Sequence, residues 1–163
     1  MAFVKQVNVR PISESADIGK VGLPKMSVLE AKVTKQGVGD DYNHYRFVAK
    51  KNTPNRAVLI FTTDILEQLN NEGWPVNAGD LGENITIEGL AYAKIAVGTK
   101  ISVGEITIEV TEKADPCKNL FALSYIGNEK RKEFLKTMKN RRGWYARVLT
   151  EGMIKVNDEI KLI

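Results

Sequence analysis

The chain holds one cysteine and one histidine, and these two residues bound its chemistry. Cys117 sits in Ala114-Asp115-Pro116-Cys117-Lys118, directly after an alternating apolar run, so its thiol belongs to a loop just beyond a strand end. Pro116 cannot donate to a sheet ladder and fixes φ, which favours a defined loop. The thiol there is either a reactive thiolate or a small buried hydrophobe. It cannot form an intramolecular disulfide, a CxxC redox pair or a Cys/His zinc finger. His44 ends the turn-forming stretch Gly37-Val38-Gly39-Asp40-Asp41-Tyr42-Asn43. Its imidazole can serve as a general acid/base, hold a ligand oxygen, or act as a structural hydrogen-bonding group. A lone histidine excludes sites that need two, including HExxH zinc proteases.

Anion-binding groups are the next candidates. The stretch Trp74-Pro75-Val76-Asn77-Ala78-Gly79-Asp80-Leu81-Gly82-Glu83-Asn84 is punctuated by glycines that can expose backbone N–H groups. It has neither GxGxxG nor GxxxxGK[ST] spacing, so nucleotide binding by those devices is not indicated. Between Gly127 and Arg147 lie eight basic residues against Glu129 and Glu133, so the chain's net charge of +4 is concentrated there. That segment reads as a solvated face, an anionic-ligand pocket or a nucleic-acid surface. Aromatic residues interleave it poorly, which disfavours a base-stacking platform.

Short strands must position these groups. Met26 to Val33, Arg56 to Phe61, Asn84 to Glu88 and Tyr92 to Val97 are rich in Val, Ile and Leu. Ile101, Val103, Ile106, Ile108 and Val110 alternate with polar residues around Gly104, predicting a hairpin with one buried face. A second hairpin is expected from Trp144 to Leu149 and Met153 to Val156, followed by a strand from Ile160 to Ile163. Two helices are expected, one from an Asp64 cap to Gly73 and one over about 128–140. Arg10 to Lys25 reads as irregular lead-in or loop. This pattern favours a barrel or sandwich over a βαβ layout. With 163 residues, 43% hydrophobic and 27% charged, the chain suits one domain with its own core. No run approaches the ~20 apolar residues of a membrane helix, and no signal peptide is read at the start. A soluble cytoplasmic protein is the expectation.

In order and spacing, these segments resemble the MOSC domain, found at the C-terminus of molybdenum cofactor sulfurases and as free-standing bacterial proteins. The resemblance covers about 26–163. It is carried by Gly39-Asp40 through His44 and Arg46, by Asn55-Arg56-Ala57-Val58-Leu59-Ile60, and by Gly79-Asp80-Leu81-Gly82-Glu83-Asn84-Ile85-Thr86-Ile87. Pro116-Cys117, Gly143-Trp144-Tyr145-Ala146-Arg147-Val148, Gly152, Asp158 and Ile160 complete it.

The resemblance implies a mainly β fold, a distorted barrel of short, mostly antiparallel strands with two or three peripheral helices. It implies that Cys117 matches the family's cysteine, which carries sulfur as a persulfide in some members and ligates molybdenum in a pterin cofactor in others. His44, Arg56, Glu83, Asn84 and Arg147 would line the cofactor pocket. Implied partners are molybdenum cofactor, molybdoenzymes and a cysteine desulfurase, with no membrane and no nucleic acid. The pyridoxal-phosphate domain of the sulfurases, the N-terminal barrel of the longer reductases and a ferredoxin-like cysteine cluster are not read in the chain. The expected role is therefore a sulfur carrier or a cofactor-dependent reductase component rather than an unaided sulfurase. The residues are consistent with either, because persulfide sulfur and molybdenum both suit a soft thiolate and a pterin phosphate needs Arg, Lys or backbone N–H donors. A non-catalytic anion- or nucleic-acid-binding module built on 127–147 is the alternative.

Overall fold

The computed structural model describes residues 1–11 and 22–163, apart from the side chains of Tyr45, Val48 and Ala49. Eleven strands and three α-helices are found among the described residues: β1 (Ala2–Val9), β2 (Met26–Val28), β3 (Glu30–Thr34), β4 (Gly37–Val38), α1 (His44–Ala49), β5 (Val58–Thr62), α2 (Thr63–Asn71), β6 (Ile85–Glu88), β7 (Lys100–Val103), β8 (Ile106–Lys113), α3 (Arg131–Met138), β9 (Trp144–Thr150), β10 (Gly152–Lys155) and β11 (Glu159–Leu162). Short 3-10 turns occupy Pro54–Arg56, Tyr92–Lys94 and Lys118–Ala122.

Seven strands close a barrel in the order β11-β7-β8-β9-β5-β6-β1, with β11 pairing back onto β1. Closure removes the free edges that an open sheet of these strands would leave. Among the described strands, only β5 and β6 pair in parallel. β2 extends the sheet beyond β1, and a separate sheet has the order β10-β3-β4. Alternation places Ile101, Val103, Ile106, Ile108 and Val110 inside the barrel, where Val4, Val7, Ile60, Ile85 and Ile87 meet them, all at most 1% exposed. The expected mainly β barrel is the observed architecture.

Local departures have physical causes. Leu29 interrupts the run expected as one strand, so Met26–Val28 pairs with β1 while Glu30–Thr34 pairs with β10. Tyr92 to Val97, expected as a strand, contains a 3-10 turn instead. Tyr92 is buried, its N–H donates to Asp64 Oδ2 at 3.0 Å, and its hydroxyl meets the Gly143 backbone. β9 and β10 do not form the expected hairpin, because β10 crosses to β3. β1 has no counterpart among the strands expected from the sequence, and it pairs with β2, β6 and β11. The lead-in expected over 10–25 lies largely outside the described residues.

Candidate functional site

A cavity of ≈ 200 Å³ opens beside the barrel wall where loops from several strands converge, and Cys117, His44 and Arg56 all line it. Lys25, Lys113 and Arg142 join them, with Asp115 as the one acidic lining residue among those described, so the walls are predominantly cationic. Tyr42, Asn43, Asn119, Tyr145, Gly22 and Gly82 fill in the surface between.

Cys117 is brought there by β8. The register of β8 against β9 shifts between Val110 and Glu112, inserting Thr111 as a bulge. Thr111 Oγ1 then lies 2.5 Å from the carbonyl of Asn55 and 3.1 Å from that of Tyr145, its single proton shared between them. Bulges of this kind bend a strand and re-aim the residues beyond it. The strand's continuation is tied to β9, since Ala114 N–H donates to Gly143 O at 2.9 Å. Cys117 caps the turn Lys118–Ala122, which the fully buried Leu120 anchors in the core. Cys117 is half-buried and in no disulfide.

His44 opens α1 instead of ending a loop. Asn43 caps that helix by accepting from Arg46 N–H at 3.0 Å. Arg46 is buried and spends its guanidinium on the carbonyls of Gln36, Asn52 and Thr53, so it holds the helix and its following loop in place. Desolvation lowers its pKa, an effect that the nearby Asp41 charge opposes. Tyr42 OH lies 2.9 Å from His44 Nδ1, which leaves Nε2 as the nitrogen available to a ligand.

Arg56 lines the cavity with its guanidinium already engaged. It forms a double contact with the Glu112 carboxylate and lies 4.8 Å from the centre of the Tyr145 ring. Lys113 lies 4.8 Å from the centre of the Trp144 ring. Lys25 is ion-paired with Asp41 at 2.5 Å, with both side chains almost wholly buried.

Glu83, Asn84 and Arg147 do not line this cavity. Asn84 is a buried clamp: its Oδ1 accepts from Leu59 N–H at 3.1 Å, and its Nδ2 donates to Asn8 O at 3.2 Å and Asp41 Oδ2 at 2.9 Å. Because Asp41 also accepts from Arg10 N–H and binds Lys25, Asn84 braces the segment that leads into His44. Glu83 is fully buried, its Oε1 accepting from Gly79 N–H at 2.7 Å and Thr86 Oγ1 at 2.9 Å. Burial pushes its carboxyl above the ordinary range, against the pull of those hydrogen bonds and of Arg142. Arg147 points away on the half-exposed outer face of β9 and pairs with Glu109 at 2.9 Å.

Arg142 is, with Lys25 and Lys113, one of the cationic lining residues that sequence reasoning did not single out. In the sequence it is one of eight cations in a basic run, and nothing in its type or neighbours separates it from Arg141, which pairs with Glu72 at the surface. Its burial, at 6% exposure, is what distinguishes it. The rest of the run is dispersed: Lys130 lies over the Trp74 ring, Arg131 over Phe121, and Lys132, Lys136 and Lys139 are exposed on or beside α3. Among the described residues, no group of three or more His, Cys, Asp or Glu side chains is placed to hold a metal ion unaided. Nor is any helix there long and apolar enough to cross a membrane.

No curated protein matches the chain by sequence. By structure it is similar to YiiM from Geobacillus stearothermophilus, at TM-score 0.71 and 20% identity, covering 100% of this chain and 75% of that one. The YUAD protein from Bacillus subtilis is similar at TM-score 0.76 and 14% identity, covering 98% of this chain and 93% of the other. YiiM from Escherichia coli is similar at TM-score 0.67 and 19% identity, covering 100% and 70%. At these identities the likeness is one of fold. The sequence model described as MOSC domain matches residues 46–161, from α1 through β11, and the chain therefore belongs to the MOSC domain family.

Proposed function

We propose that this MOSC protein uses the cavity around Cys117 to bind molybdenum cofactor or to carry sulfur as a Cys117 persulfide. In either case it would serve molybdoenzyme maturation or a small reductase. The observation that carries the reading is the convergence of Cys117, His44 and Arg56, distant in sequence, on one predominantly cationic cavity. The donor set fits the group. A single soft thiol suits molybdenum that already carries ligands of its own, and the cationic wall suits a phosphate.

The cofactor, when bound, would supply redox-active metal chemistry. The chain's part is to bind and orient. Cys117 offers a soft ligand from a loop fixed at both ends, by Ala114 on Gly143 and by Leu120 in the core. His44, with Nδ1 engaged by Tyr42, can hold or move a proton at Nε2. Arg56 and Lys113 keep positive charge on the wall while Glu112 and two aromatic rings hold them in place. In the sulfur-carrying role the Cys117 thiolate attacks the outer sulfur of a donor persulfide. One S–S bond breaks, another forms, and the donor leaves as a thiolate. A cysteine desulfurase is the fitting donor.

Incubation with a cysteine desulfurase and free cysteine tests the carrier role. A reductant-labile gain of one sulfur atom is expected on the wild type and not on Cys117→Ser. A gain on both proteins, or a gain that reductant does not remove, would contradict persulfide formation at Cys117.

A further inference from the structure

Tyr42, Asn43 and His44 line the cavity together, at the point where the chain enters α1. Their backbone is pinned on both sides. Before them, Tyr42 N–H donates to Arg10 O at 2.7 Å, and the Asp41 carboxylate accepts from Arg10 N–H, Lys25 Nζ and Asn84 Nδ2. After them, the Arg46 guanidinium donates to the carbonyls of Asn52 and Thr53 and so ties the helix to the loop that follows it. Side chains carried on a segment held at both ends keep a fixed aim.

The Tyr42 hydroxyl lies 2.9 Å from His44 Nδ1, and the two rings meet edge-on with their centroids 5.9 Å apart. Phe47, three residues after His44, packs against the Tyr42 ring as well, at 5.7 Å. A phenol has one proton to donate, and an unprotonated imidazole nitrogen is an acceptor that suits it. Nδ1 is the one acceptor that this hydroxyl reaches among the described residues. The opposite assignment, with Nδ1–H donating to the phenol oxygen, would leave the hydroxyl proton with no acceptor among them.

We propose that Tyr42 is a positioning residue for His44, donating to Nδ1 and thereby holding the neutral ring with its proton on Nε2. Both nitrogens are then committed, one accepting from Tyr42 and the other presenting an N–H. The neutral ring has no free lone pair to take the Cys117 proton. His44 therefore serves the cavity as an N–H donor and not as the base of a Cys–His pair. The ligand atom that meets Nε2 must be a hydrogen-bond acceptor. The inference rests on the reading of Cys117 as the working thiol only for what that donor serves.

The chain has one histidine, so nitrogen-15 labelling of histidine reports on His44 without ambiguity. At a pH where the ring is neutral, the wild type should show a protonated Nε2 and an unprotonated, hydrogen-bonded Nδ1. Tyr42→Phe keeps the ring that packs against His44 and Phe47 and removes only the hydroxyl. Its Nδ1 signal should move to that of an unprotonated nitrogen with no hydrogen bond. A proton on Nδ1 in the wild type, or an Nδ1 signal unmoved in Tyr42→Phe, would overturn the proposal. The wild-type spectrum decides by itself if the variant does not fold.

Alkylation of Cys117 by iodoacetamide, a reaction of the thiolate, checks the consequence. His44→Gln keeps an N–H donor near the place of Nε2 but cannot act as a base, so it should react at the wild-type rate. A fall toward the roughly 100-fold loss that removing a general base produces would overturn the donor role. Sulfur loading of the same proteins separates this inference from the wider reading. The expected spectra with no sulfur gained by the wild type would support the Tyr42–His44 arrangement and contradict the carrier role alone. Sulfur gained at Cys117 with a proton on Nδ1 would do the reverse.

Discussion

Burial at Glu83 outweighs the contacts that favour its charge. Desolvation raises its pKa above the ordinary 4.5, while hydrogen bonds from Gly79 and Thr86 and the Arg142 charge pull the other way. A carboxyl whose folded pKa is raised contributes stability that is fully present below its unfolded value and is lost as pH rises toward the folded one. Glu83→Gln, which mimics the neutral form, should therefore match the wild type near pH 4.5 and become progressively more stable than it toward neutral pH. Melting curves across that range check this. A variant less stable than wild type at neutral pH would mean that Glu83 is ionised and supports Arg142. At this scale the sequence is legible where a residue type is rare. Cys117 and His44 stand alone in composition and both line the cavity. Arg142 is hidden among equivalent cations, because what separates it from Arg141 and Arg147 is burial, a tertiary property. Glu83 and Asn84 are legible as unusual but not in how they act. They lie behind the wall, and Asn84 reaches the His44 segment through Asp41.

Among the elements, the start of β9 positions the most. Gly143 accepts from Ala114 N–H, exchanges contacts with the Tyr92 hydroxyl and directly follows Arg142. Its φ is +107, and a Cβ there would lie 2.6 Å from Ile60 O. Gly143→Ala should cost roughly 1–3 kcal/mol from backbone strain alone, lowering the melting temperature by about 2–12 °C. An unchanged melting temperature would show that the β9 entry relaxes freely. The hairpin of β7 and β8 is legible because strict alternation admits one register with a buried face. The fate of β10 is not. Its turn after β9 is local, but its partner β3 lies far away in the chain, and no local pattern encodes that pairing. Tyr92 to Val97 misleads for a related reason, since its apolar residues are buried in a turn held by Asp64 and Gly143.

For the molecule as a whole, the closed barrel acts as a frame and the loops beside it as the instrument. β11 seals β7 to β1, so chain ends distant in sequence share one core, while β5, β8 and β9 deliver the groups of the cavity to one side. Similar structures at 14–20% identity keep this frame, which is why fold alone does not assign chemistry and why function turns on Cys117 and the wall around it. Serine at position 117 is nearly isosteric with cysteine but a poor soft ligand, so it separates chemistry from packing. The most direct measurement is native mass spectrometry with metal analysis on wild type and Cys117→Ser, both isolated from a molybdenum-replete source. Near-stoichiometric molybdenum and pterin, or one labile sulfur atom, is predicted on the wild type, with loss of either in a variant that melts normally. Neither species on the wild type, or equal amounts on both proteins, would contradict a functional Cys117.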